Sequence, residues 1–271
     1  ATALIERLKA GVSVTLLLEA GPAGGMTDAQ RWICGRLRDE GALVYFLDSR
    51  DSISPRYRSQ HAKLFLIDNR LALNGSENLN PSGMPDDPKE DGTAGRRGVY
   101  LITDAAGVVE RVRTILAADI DPAHHRDLLT CAELTGACSG VAPGPEPNWI
   151  SYTVAFAEPL TVRGELAFEV VHSPENSLRS HEGLLGMVGR AGEGDTVLVE
   201  QFYERVHWGA ADDTPATAPN LRLEAYLAAA RRGARVRILL DGFFEAGQNA
   251  ETVSYLQGVA RREGLDLEVR L

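Results

Sequence analysis

"HAKLFLIDNRLALNGSENLN", residues 61–80, decides how the rest of the chain is read. Two apolar runs flank Asp68-Asn69-Arg70, the pattern of a β-hairpin whose turn is made by polar residues. Side chains alternate faces along a strand, so His61 and Lys63 are expected to project together. Leu64, Leu66 and Ile67 are assigned to the core. The return strand runs to Gly75, where the chain can turn without steric penalty, and Ser76 and Asn78 again share a face. An imidazole, an ammonium, a hydroxyl and an amide are thereby brought together with no carboxylate among them. Such a set suits an anion, and a phosphoryl group fits best. Lys63, Ser76 and Asn78 could hold its oxygens while His61 acts as nucleophile or general acid. A His-x-Lys pair alone is ordinarily solvated surface, and Gly-Ser-x-Asn alone is ordinarily a turn. Their joint occurrence in one hairpin carries the reading.

Outward from the hairpin, the chain reads as built twice. "LIERLKAGVSVTLLLEA" (4–20) and "YLAAARRGARVRILLDG" (226–242) each read as a helix, a glycine stop and a buried strand, with Gly11 matching Gly233 and Glu19 matching Asp241. Each continues into an amphipathic helix and a further strand, at 28–47 and 249–271. Leu47 is matched to Leu271, which sets a second hairpin motif about 14 residues past that position. Residues 173–203 are expected to form a capped helix opened by Ser173-Pro174, then a strand, with Leu184, Leu185, Val188 and Ala191 at helical spacing. The expected organisation is 1–120 as the C-terminal part of one repeat, carrying the His/Lys motif. Residues 121–172 follow as a linker with short strands at "ISYTVAF" and "ELAFEVV", and 173–271 as the N-terminal part of a second repeat without its motif. That is the expectation for a piece of a longer two-repeat protein. Near-continuous Val/Leu/Ile strands alternating with helices place it in the α/β class.

The 271 residues carry a formal charge of −10 with a pI near 5.1, so the chain has no global attraction for polyanions. No apolar run is long enough to span a bilayer, and no signal peptide is read at the start. Cys34 lies in an apolar helical context and is read as a buried free thiol. Cys131 and Cys138 are either two unpaired thiols or a local disulfide; the latter would favour an extracytoplasmic or membrane-associated setting. His124-His125 lacks a third ligand at metal-site spacing. "GPAGG" (21–25) lacks the residues of a phosphate-binding loop. Arg56 and Arg58 are assigned to a solvated loop, and Trp208 to a partly packed rim.

His61-x-Lys63, then Asp68, then Gly75-Ser76-x-Asn78 resembles the signature of the phospholipase D superfamily. The resemblance implies a phospholipase D-like fold of two repeated halves, each a mostly buried mixed β-sheet flanked by helices. It implies a phosphodiesterase that hydrolyses or transfers phosphatidyl groups through a phosphohistidine, with no cofactor and no required metal. His61 and Lys63 would be catalytic, Lys63, Ser76 and Asn78 would bind phosphate, and Asp68 and Gly75 would be structural. The substrate would be a phospholipid or another phosphodiester. A second motif would come from sequence past Leu271 or from a second subunit. A nuclease of the same fold and a non-catalytic scaffold retaining one motif are the alternatives, the acidic charge weighing against nucleic acid. One departure stands out. Many relatives carry an acid downstream of the signature that orients the histidine, whereas Arg96-Arg97 stand there in this chain, leaving Glu77 and Glu200 as candidates.

Overall fold

A computed structural model describes residues 2–22, 24–50, 54–79, 97–144 and 158–271. The chain divides into two compact units, Ala1–Phe168 and Glu169–Leu271.

The first unit opens with α1 (Thr2–Lys9), β1 (Thr15–Glu19), α2 (Asp28–Asp39) and β2 (Leu43–Leu47). Thr27 caps α2 through a reciprocal capping box with Gln30, satisfying two amides that the first turn would leave bare. Gly41, at φ +97°, reverses the chain after α2 in a conformation that side-chain-bearing residues resist. β1 and β2 pair in parallel, Thr15 opposite Leu43. Phe46, Val44, Leu37 and Cys34 form the centre of the core beneath them.

The hairpin follows as β3 (Leu64–Ile67) and β4 (Leu71–Gly75), antiparallel with Leu64 opposite Asn74, and β5 (Tyr100–Thr103) adds to the β4 edge. Asp68 and Asn69 both take positive φ, the signature of a type I′ turn, and Arg70 N bonds back to Ile67 O at 2.9 Å. α3 (Ala106–Asp119) covers one face of this sheet, packing Val109 and Val112 on Ala72, Leu64 and Leu66. Ile67 does not join them. It lies on the opposite face with Phe65 and is 49 % exposed, because strand parity separates it from Leu64 and Leu66.

Residues assigned to the linker also contribute. β6 (Leu128–Thr130) pairs antiparallel with β2, and Cys131 and Cys138 after it form a disulfide. Gly35 on α2 lies so close to the Cys138 carbonyl that a side chain there would overlap it. Cys34 is the buried free thiol, its pKa raised to about 11 by burial. "ELAFEVV" (165–171) forms no strand, while "ISYTVAF" (150–156) lies outside the described residues.

The second unit contains α4 (Gly183–Arg190), β7 (Thr196–Gln201), α5 (Leu221–Arg231), β8 (Arg235–Leu240), α6 (Ala246–Glu263) and β9 (Leu267–Arg270). The helix expected from residue 173 begins ten positions later, at Gly183, since residues 173–182 are spent in turns closed by bonds such as Asn176 N to His172 O. β7, β8 and β9 form a parallel sheet in that order. All three helices line one face of it, where Val236, Ile238, Leu256 and Val269 are buried. The other face leaves Leu198 76 % exposed beside Arg237, Leu239 and Arg270. The described sheets are therefore three small ones, with helices on one side, rather than mostly buried layers.

Candidate functional site

His61 and Lys63 lie just ahead of β3, and the hairpin ladder reaches them through a bond from Gly75 N to Lys63 O at 3.0 Å. This pairing sets Lys63 across from the turn that begins at Gly75. Lys63 Nζ donates back to the His61 carbonyl at 2.7 Å, so the two residues are tied as well as adjacent. Ser76 continues the β4 edge. Its amide donates to Val99 O at 3.1 Å, and its Oγ accepts from Val99 N at 3.0 Å. The Ser76 hydroxyl proton is thus left to donate elsewhere. His61, Ser76 and Asn78 are exposed and Lys63 half-buried.

The structure places His61, Lys63 and Ser76 at one end of one hairpin. Asn78 lies two residues further along, exposed and past the end of β4. Asp68 is at the opposite end, in the turn, and Gly75 ends β4 packed so tightly on the Tyr100 ring that a Cβ would overlap it.

The electrostatics differ from the expectation in one respect. A carboxylate does accompany the set: Glu77 acts on Lys63 and on Tyr100, whose hydroxyl also donates to the Glu77 carbonyl at 2.9 Å. Burial lowers the Lys63 pKa, with Glu77 pulling the other way. Burial, and after it the Lys63 ammonium, lowers the His61 pKa below the ordinary imidazole value. Both effects favour the neutral imidazole. Among the described residues no side chain hydrogen-bonds the His61 ring. Arg97 is exposed ahead of β5, and Arg96 lies outside the described residues.

The segment leading into His61 is anchored at several points. Arg56 is not a solvated loop residue. Its Nε donates to Asp127 at 3.0 Å, its Nη2 to the Asp119 carbonyl at 2.9 Å, and its side chain is 18 % exposed. Burial pushes the Asp127 carboxyl up, but its bonds with Arg56 outweigh this and leave its pKa lowered. This guanidinium is therefore occupied, whereas Arg58 is exposed. Sequence reasoning also missed Glu19, Gln60 and Tyr100. An acid at the carboxyl end of an apolar strand, where α/β sites gather, was the available signal for Glu19.

The remaining candidates lie elsewhere. Among the described residues no group of three or more His, Cys, Asp or Glu could hold a metal ion. His124 pairs with Asp121 at 3.4 Å, and Trp208 is stacked under Arg222. Among the described residues no helix is long and apolar enough to cross a membrane.

With this geometry in view, the comparisons are specific. Residues 1–116 match the family model described as cardiolipin synthase, PLD-like domain. The match supports membership of the phospholipase D superfamily for this part of the chain, and PLD-like domains are generally phosphodiesterases. No curated protein matches the chain.

Proposed function

We propose that the protein is a phosphodiesterase acting on phosphatidyl or similar phosphodiester groups, with His61 as the nucleophile. One observation carries the reading: an exposed histidine tied to Lys63, on a hairpin end that also presents Ser76, with its pKa lowered by partial burial and by the Lys63 ammonium. A neutral imidazole has the lone pair that attack on phosphorus requires.

In the proposed first step a ring nitrogen of His61 bonds to phosphorus as the bond to the leaving alkoxide breaks. A second histidine protonates that alkoxide. Water then attacks phosphorus, losing its proton to the same second histidine, and the bond to His61 breaks; an alcohol in place of water gives transfer. Lys63, Ser76 and Asn78 hold the non-bridging oxygens, where negative charge grows in each transition state. Asp68 and Gly75 shape the hairpin.

His61 cannot be both neutral nucleophile and protonated acid in one step. The second histidine is therefore assigned to an equivalent motif, in sequence following Leu271 or in a second copy of this chain. The helix–strand–helix–strand order of α1 to β2 and of α5 to β9, with parallel strands in both, supports a two-repeat organisation.

The test uses the full-length protein and a His61→Ala variant on bis(p-nitrophenyl) phosphate and on phosphatidylcholine vesicles. Turnover by the wild type and its loss in the variant is the expected result, and preference for vesicles would place the substrate among lipids. Equal rates from both proteins would remove His61 from the mechanism. Turnover of oligonucleotides alone would favour a nuclease.

A further inference from the structure

Glu19 ends β1, and both of its carboxylate oxygens are engaged. Oε1 accepts from Gly21 N at 2.9 Å and from the Ser49 hydroxyl at 3.0 Å. Oε2 accepts from the backbone N–H of Gln60 at 2.5 Å. The Gln60 side chain in turn accepts from Ala62 N at 2.9 Å. His61 is the residue between those two amides. Residues 59–63 have no regular secondary structure, so no strand ladder fixes them until Lys63 O meets Gly75 N. The amide before His61 is thus fixed by a carboxylate rooted in the parallel sheet, and the amide after it by the Gln60 side chain. The hairpin fixes the segment from its other end.

We infer that Glu19 is a positioning residue for His61: through Gln60 it holds the histidine backbone where the imidazole can reach phosphorus. The inference rests on the reading of His61 as nucleophile. Glu19 works by geometry, since its bonds are to the chain beside His61 and none is to the ring. A misplacement of about 1 Å at a reacting group can cost roughly 10²-fold in rate, and groups that reach substrate depend on supports of this kind.

The experiment compares full-length wild type with Glu19→Ala, Glu19→Gln and Gln60→Ala. It measures turnover of bis(p-nitrophenyl) phosphate and the ring resonances of the histidines by NMR. For Glu19→Ala, kcat is expected to fall about 10- to 100-fold with KM changed less than about twofold. Glu19→Gln should recover part of this, because its one carbonyl oxygen can still turn to the Gln60 N–H. The His61 resonance should shift or broaden in Glu19→Ala and Gln60→Ala, while those of His124 and His125 stay in place. If Glu19→Ala fails to fold by circular dichroism, Glu19→Gln alone decides, since Gln60→Ala keeps the backbone N–H that Glu19 holds and reports only on the Gln60 side chain. An unmoved His61 resonance with unchanged kcat, or a raised KM with unchanged kcat, would overturn the inference. If the wild type itself turns over no phosphodiester, the proposed function fails, while the His61 resonance still decides whether Glu19 positions it.

Discussion

Two polar clusters, one in each unit, use their hydrogen-bonding groups in opposite ways. Beyond β7, Glu204 is 2 % exposed and fully bonded: Arg222 donates to both of its oxygens at 2.8 and 3.0 Å, with Asn220 at 2.7 Å and Gln201 at 2.9 Å. Asn249 and Thr252, both completely buried, bond the Glu204 backbone on either side. Every one of these groups is spent on the fold. At the hairpin end of the first unit, His61 and Ser76 are exposed, the imidazole has no side-chain partner among the described residues, and the Ser76 hydroxyl keeps its proton to give. Burying a polar group without a partner is costly, so a saturated network reads as architecture. Exposed groups aligned by a rigid hairpin read as a site waiting for a ligand. The difference between scaffold and site lies in which donors are left over.

The comparison can be broken by substituting on each side of it. The largest effect is expected from His61→Ala, which should lower phosphodiester turnover by on the order of 10³-fold or more. Its unfolding free energy should change by less than about 0.5 kcal/mol, as for exposed positions generally. A large stability loss in denaturant titration would make His61 part of the scaffold after all. Glu204→Ala should do the reverse. Removing one partner of a buried pair costs about 3 kcal/mol, read as a lower denaturant midpoint of the second unit.

The Glu204 network also has a pH signature. Burial pushes the carboxyl up, but the bonds from Arg222 and Asn220 more than offset it and leave the folded pKa lowered. Its contribution is therefore present above the unfolded value of about 4.3 and is lost as pH falls through the folded one. Glu204→Ala should flatten that acid loss of stability.

A smaller effect is expected from Lys63→Ala, a fall in kcat of roughly 10²-fold from the loss of one phosphate-holding cation. The smallest is a displacement of the pH profile. Because His61 must be neutral to attack and its pKa is lowered, wild-type turnover should fall only as pH drops below the ordinary imidazole range. Lys63→Ala removes the second cause of that lowering while burial remains, so the acid limb should move part of the way to higher pH. A limb that stays in place would mean that Lys63 does not tune His61.

How far the sequence could be read follows from the range of the forces involved. The hairpin was legible because period-two apolar residues and an Asp-Asn turn act within a dozen positions. Ile67 was misassigned by grouping it with its neighbours instead of following strand parity. The start of α4 was misplaced because Ser173-Pro174 looks like a helix opening, yet the chain uses the following residues for turns. Glu77 was weighed only as an acid for His61, since its effect on Lys63 depends on how the end of β4 lies beside the residues ahead of β3. Glu19 was read only as the repeat partner of Asp241: its place at a strand end was a signal, but its partners Ser49 and Gln60 lie 30 and 41 positions away, separations that no local spacing rule reaches.

The measurement that tests the central claim most directly is trapping of the covalent intermediate. Full-length protein would be mixed with bis(p-nitrophenyl) phosphate, quenched in base to protect acid-labile phosphoramidates, and its peptides mapped by mass spectrometry. The account predicts a burst of p-nitrophenol and a phosphoryl adduct on the peptide containing His61, absent from His61→Ala. Turnover without a burst, or an adduct on another residue with His61 unmodified, would contradict it.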